Sequence, residues 1–188
     1  MRRKPERRRS LIVLGAAVVV FDLALVLLDR KMQDAGGPSI LGFEFAGSGE
    51  RAAEVIAEWG ESGQTAARWS LWIDFGFMVS YGAFFTLTAL ALRDYAAARG
   101  FRRFALGGRA AAVAATAAAI FDAGENALLL LVLGGNGGAS APLAASLCAS
   151  VKFLLIGFSI VYAISGLVLR VLNGPAAVPS SAQPRSTE

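Results

Sequence analysis

The sequence of 188 residues contains no histidine and only one cysteine, Cys148. Without histidine, the chain cannot build a Ser-His-Asp triad, a zinc site with histidine ligands or histidine ligation of haem. A single cysteine excludes an intramolecular disulfide, a CxxC redox pair and a thiolate metal cluster. The serines that remain as nucleophiles for an enzyme therefore have no histidine base beside them.

Charged residues are also scarce, at 17% of the chain, against roughly 25% in a typical soluble domain. Hydrophobic residues make up 55% of the chain, and the mean hydropathy is +0.55. The apolar residues fall in four long blocks, a pattern typical of membrane spans rather than of a soluble core. The net charge of +4 is concentrated in a few segments. It therefore indicates topology in a membrane, and we expect no nucleic-acid partner.

Four segments are predicted to span the membrane as helices, namely residues 11–28, 69–92, 110–133 and 143–169. Each approaches or exceeds the roughly 20 residues that a helix needs to cross a bilayer. The first segment follows a basic stretch as a signal peptide does, but it is long, contains Asp22 and lacks a small-residue cleavage site. We therefore expect an uncleaved helix. The sequence predicts an all-α integral membrane protein, with residues 11–172 forming a four-helix transmembrane bundle.

The charges of the connecting segments indicate the orientation of the chain. Residues 1–10 hold six basic residues against one acid, and residues 93–109 hold five against one. Residues 31–68 hold three basic residues and six acids. Because basic residues favour the cytoplasmic side, both termini are predicted to be cytoplasmic in a multi-pass protein of the plasma membrane. Residues 173–188, rich in proline and serine, predict a disordered cytoplasmic tail.

The long outer loop, residues 31–68, predicts a short extracytoplasmic cap. Within it, Ala52, Val55 and Trp59 recur at helical spacing while glutamates occupy another face, which predicts an amphipathic helix over residues 50–59. Residues 39–46 alternate weakly between apolar and polar and predict a short extended segment. Whether this helix lies over the outer mouth of the bundle or on the membrane surface stays open, as does whether it is a lid or a plain cover for the helix ends.

Ionisable residues within the apolar spans carry the functional hypothesis, since they are costly in hydrocarbon and tend to face a bundle interior or a cavity. At about 1.5 Å per residue, polar groups from all four spans fall in the outer half of a hydrocarbon core about 30 Å thick. Asp122, Glu125 and Asn126 follow i, i+3, i+4 spacing and share one helix face. We therefore expect a polar, carboxylate-rich pocket open to the outside. Its predicted members are Asp22, Asp74, Tyr81, Asp122, Glu125, Asn126 and Lys152.

These residues also have structural interpretations. Lys152 could snorkel to the headgroups, Asp74 could be a hydrated residue beside two tryptophans, and Asp29 is expected at the membrane interface. The deeper acids could form a purely structural network, which would need Lys152 or protonation to be tolerated. The similar depths of Glu125 and Lys152 on consecutive antiparallel helices predict a buried charge pair.

The charge balance of the predicted pocket limits what it can hold. Four carboxylates against one lysine leave a surplus of about three negative charges if all ionise, so protons or a cation are expected there. Oxygen ligands suit Mg, Ca or Mn, and Asp122 and Glu125 are the candidate ligands for such a divalent cation. An organic cation would serve equally well. No cofactor motif is evident.

Four segments resemble a group of uncharacterised bacterial four-helix membrane proteins. They are GFEFAGSGERAAEVIAEWG (residues 42–60), DFGFMVSYG (74–82), DAGEN (122–126) and VKF (151–153). The resemblance extends over residues 40–169 and implies a four-helix protein of a bacterial inner membrane. It names no reaction. The residues that it singles out are Asp74, Tyr81, Asp122, Glu125, Asn126 and Lys152.

Three functional classes stay open at this point. The first is binding or processing of a lipid or small amphipathic or cationic ligand from the outer leaflet, with Asp122 or Glu125 available for acid–base chemistry. The second is a structural or accessory membrane subunit. The third is a small cation- or proton-coupled transporter. The inner halves of the spans are almost entirely apolar, which favours a one-sided site over a transport path.

Overall fold

The computed structural model describes residues 3–174, with side chains from Glu6 onward. These residues form five helices and no strand: α1 (Arg3–Asp34), α2 (Ile40–Glu44), α3 (Gly49–Ala98), α4 (Arg102–Leu133) and α5 (Ala141–Asn173). The all-α prediction is confirmed for this part of the chain. Each of the four long helices contains one predicted span and is long and apolar enough to cross a membrane. The predicted disordered tail lies outside the described residues from residue 175 onward.

Three of the long helices, α3, α4 and α5, pack on one another. The alanines of α4 make this close approach possible, since Ala111, Ala115 and Ala118 are fully buried. Helix α1 packs chiefly on α3. The Phe21 ring lies where a side chain on Gly76 would have to go. Helix α1 is therefore a peripheral helix of the bundle, and most of its apolar surface faces away from the protein.

The two ends of the bundle differ. The upper end comprises residues 35–59 and the connection 134–140, whereas the lower end comprises residues 3–10, the turn 99–101 and residues 170–174. At the lower end, Arg7 forms an ion pair with Asp94 at 3.0 Å, and the Tyr95 hydroxyl donates to the Gly174 carbonyl at 2.8 Å. These contacts join α1 and α5 to the end of α3.

Helix α3 bends sharply at Gly60, whose φ of 54° and ψ of −166° lie outside the helical region. A positive φ suits glycine, which has no Cβ to clash with the backbone. The bend interrupts the hydrogen-bond ladder, and the Gln64 side-chain amide donates to the Ile56 carbonyl at 2.9 Å. Ser48 caps the start of the helix by accepting from the Arg51 amide at 3.2 Å. Residues 49–59 thus form a separate helical segment.

This segment, residues 49–59, is amphipathic as predicted. It buries Ala52, Val55 and Trp59 against the upper end of the bundle and leaves its glutamates exposed. Trp59 anchors it, because its indole donates to the Pro38 carbonyl at 2.7 Å and packs edge-on against Phe43 at 5.1 Å between ring centroids. The segment therefore packs against residues of α3, α4 and α5.

The prediction of an extended segment over residues 39–46 is wrong, because residues 40–44 form the short helix α2. The Asp29 carboxylate accepts from the Ile40 amide at 2.7 Å, and so satisfies a backbone donor at the start of α2. Phe43 and Glu44 point inward from this helix and are buried. The weak alternation of residues 39–46 does not reveal that Asp29, eleven residues before Ile40, stabilises the start of a helix there.

Candidate functional site

The centre of the candidate site is the ammonium group of Lys152 on α5, which is 7% exposed. Its Nζ lies 2.8 Å from Glu125 Oε2 and 2.9 Å from Asp122 Oδ1, both on α4. It also lies 3.4 Å from Glu44 Oε2 on α2. The predicted Glu125–Lys152 pair is thus confirmed as a contact. The alternative in which Lys152 snorkels to headgroups is wrong, because three buried carboxylates surround its amine.

Tyr81 extends this arrangement from α4 to α3. Its hydroxyl donates to Asp122 Oδ2 at 2.8 Å, while the other oxygen of the same carboxylate faces Lys152. Asp122 is 3% exposed, so both of its oxygens have partners in a buried environment. We call Lys152, Asp122, Glu125, Glu44 and Tyr81 the Lys152 network. It links α2, α3, α4 and α5.

A second polar pair lies on neighbouring positions of the same helices. The Asn126 side-chain amide donates to Asp74 Oδ2 at 2.6 Å. Asn126 is buried, whereas Asp74 is half-buried. Glu125 and Asn126 lie three and four positions after Asp122 on α4, so the three side chains share one face of that helix. Six of the seven predicted members of the pocket are therefore brought together by the fold.

Asp22 does not join them. Its side chain is exposed on α1, and among the described residues none donates a hydrogen bond to its carboxylate. The expectation that Asp22 faces the bundle interior is wrong, because the inward face of α1 is formed by Phe21 and other apolar residues that pack on α3. Asp29, expected at the membrane interface, is half-buried, and its carboxylate accepts from the Ile40 amide at the start of α2.

Glu44 is the residue of the network that the sequence did not reveal. In the sequence it is one of six acids in residues 31–68, yet in the structure it is 7% exposed and reaches Lys152. Ser146 of α5 fixes the backbone beside it, donating to the Glu44 carbonyl at 2.7 Å and accepting from the Gly47 amide at 3.1 Å. The available signal was a lone acid between Phe43 and Phe45 in an otherwise apolar stretch.

The network is closed, whereas the sequence predicted an open pocket. Glu125 is fully buried, and α2 with residues 49–59 packs across the upper end. The described residues also form surface grooves that the network does not line. One of 490 Å³ lies between α1 and α3 beside Lys31, Glu61 and Trp69, and an apolar one of 630 Å³ lies between α3 and α4. A ligand that reaches Lys152 must displace α2 or part of its surroundings.

The charges of the network do not balance. Glu44, Asp122 and Glu125 contribute three carboxylates against the single ammonium of Lys152, and the carboxylate of Asp74, paired with Asn126, lies outside the network. Glu125 Oε1 is buried and receives no hydrogen bond from the described residues, and Glu125 Oε2 and Glu44 Oε2 are buried with only their ion-pair contacts to Lys152. Asp122 and Glu125, the candidate metal ligands, both contact Lys152. Within the described residues, no group of three acidic or thiol side chains is arranged to hold a metal ion.

Comparison with protein-family models, curated proteins and solved structures gave no match to this chain. The candidate site therefore rests on its own geometry and on the chemistry of its residues.

Proposed function

We propose that this chain is a multi-pass protein of the plasma membrane whose Lys152 network binds a small cationic, amphipathic ligand, such as a lipid with an ammonium headgroup. The observation that carries this proposal is the surplus of buried carboxylates around one lysine, with Glu125 Oε1 left without a donor. Buried acceptors without donors are destabilising. An ammonium group would supply both the missing charge and the missing hydrogen bonds.

The proposed placement in the membrane follows from the four apolar helices and the basic lower end. Many large apolar side chains on these helices are exposed, as expected for surfaces that contact lipid. Residues 1–10 and 93–109 carry ten of the fifteen arginines, so we place the lower end and both termini in the cytoplasm. The Lys152 network then lies in the outer half of the bilayer, where a lipid of the outer leaflet reaches α2.

A specific observation favours a second candidate, the structural or accessory subunit. The network is closed, and Lys152 already connects α2, α4 and α5. A transporter has less support, because the spans contain no carboxylate or lysine on the lower side of Tyr81 and Asp122. The two leading candidates make opposite predictions about ligand binding.

The test uses octylamine, an amphipathic primary amine, and the purified protein in a neutral detergent. If the network binds ammonium groups, octylamine raises the unfolding temperature of the wild type in a saturable way, whereas octanol at equal concentration does not. The variants Glu44→Gln and Glu125→Gln should lose most of this shift. Glu54→Gln, at an exposed position of residues 49–59, is the matched control and should keep it.

No shift in the wild type would overturn the binding proposal and leave the structural candidate. An equal shift in all variants would mean that octylamine acts as a detergent and does not enter the network.

A further inference from the structure

Asp22 is the one charged side chain that the four apolar segments expose at the protein surface, since the other four are buried or half-buried. It lies about 18 Å along the helix from Ser10, well inside a hydrocarbon core about 30 Å thick. An ionisable group at that depth is expensive unless it meets a polar partner. Within residues 3–174, the chain supplies none.

The surface around Asp22 is suited to another helix. Val19 and Val26 lie three residues before and four residues after it, so they share its side of α1, and both are exposed. Exposed apolar residues also continue along α1 on both sides of Asp22, in two adjacent rows. They are Ile12, Val19 and Val26 in one row and Val13, Val20 and Leu27 in another.

We propose that this face of α1, centred on Asp22, is the interface between two copies of this chain within the membrane. The occupant follows from the chemistry of a carboxyl group, which both donates and accepts hydrogen bonds when it holds a proton. Two Asp22 side chains across a two-fold axis therefore satisfy one another without any other polar residue. The lysine of the spans, Lys152, is engaged with three carboxylates and cannot serve.

The inference requires that the four helices cross a membrane but not that the Lys152 network binds a ligand. It concerns the face of α1 that points away from α3, whereas the network lies among α2, α3, α4 and α5. A dimer would place the two networks on opposite sides of a central pair of α1 helices.

The first test is disulfide cross-linking in native membranes, in a Cys148→Ser background. Val26→Cys should form a covalent dimer of this chain under mild oxidation. Leu154→Cys is the matched control, because it lies at a similar estimated depth and is 75% exposed on α5. Equal cross-linking of the two variants, or cross-linking of Val26→Cys only to a different protein, would overturn the proposal.

The second test measures self-association by energy transfer between labelled copies diluted in liposomes. Replacing the carboxyl with a hydrocarbon in Asp22→Leu should raise the dissociation constant about tenfold, the effect of losing an interhelical hydrogen bond. Asp22→Asn should stay near the wild type, because an amide also donates and accepts. A monomeric wild type, or an Asp22→Leu variant that associates as the wild type does, would refute the interface.

Discussion

The prediction that the structure constrains most tightly is a double-mutant cycle between Glu125 and Lys152. Replacing Lys152 with methionine removes the ammonium that lies within 3.4 Å of three carboxylates. Because it leaves buried charges without a partner, we expect a loss of about 3–5 kcal/mol in the free energy of unfolding. Glu125→Gln keeps the shape of the side chain and leaves Lys152 with Asp122 and Glu44. We expect it to lose about 1.5–3 kcal/mol, the value of a hydrogen bond to a charged group.

The double variant should be less destabilised than the sum of the two, by about 1–2 kcal/mol, within the usual range for residues in contact. Recovery should be incomplete, since Asp122 and Glu44 lose their cation in the double variant as well. If Glu125 and Lys152 formed an isolated pair, the double variant would recover more of the lost free energy of unfolding. This difference separates a three-carboxylate network from a single salt bridge.

Unfolding of the detergent-solubilised protein by sodium dodecyl sulfate, followed by tryptophan fluorescence, measures all four members of the cycle. Lys31→Met, at an exposed lysine of α1, is the control and should change stability by less than about 0.5 kcal/mol. Effects of Glu125→Gln and Lys152→Met that add to within about 0.5 kcal/mol would refute the reasoning, because residues that do not interact behave additively.

Three further predictions concern other parts of the chain. Cysteines introduced at Glu54 and Gly137 in a Cys148→Ser background should react with an impermeant reagent from outside the cell, and labelling from the cytoplasmic side would reverse the proposed topology. Cys148→Ser itself should change the free energy of unfolding by less than about 0.5 kcal/mol, because the half-buried thiol has no hydrogen-bond partner among the described residues; a larger loss would reveal a packing role. Trp59→Ala should lose about 3–5 kcal/mol in the free energy of unfolding, because the indole is 1% exposed. Trp69→Ala, at an exposed tryptophan, should lose far less. Similar losses in the two variants would contradict the anchoring role of Trp59.

Much of the fold and site follows from patterns that local physics determines. Long apolar stretches require helices, and the i, i+3, i+4 spacing fixes that Asp122, Glu125 and Asn126 share a face. The amphipathic segment at residues 49–59 was predictable for the same reason, since its glutamates and apolar residues separate at helical spacing. The contact of Lys152 with Glu125 followed from similar depth on consecutive helices.

The parts that the sequence did not reveal depend on tertiary packing. Residues 11–28 of α1 are apolar on all sides apart from Asp22, so no periodicity indicates which side packs inward. Packing on α3 places the Phe21 side inward. Glu44 lies in a short helix whose start is stabilised by Asp29 and whose backbone is held by Ser146 of α5. Such partners are eleven and about a hundred residues away, beyond the reach of a local pattern.

The position of Lys152 also has a consequence for how the chain is made. A lysine at depth in an isolated helix opposes membrane insertion by about 2.5–3.5 kcal/mol. Helix α4 precedes α5 by a connection of only residues 134–140 and carries the two acids closest to the lysine. We expect α4 and α5 to leave the translocation machinery as a hairpin, with the charges already paired. Helix α2, made long before, would then settle over Lys152 as the last step of assembly.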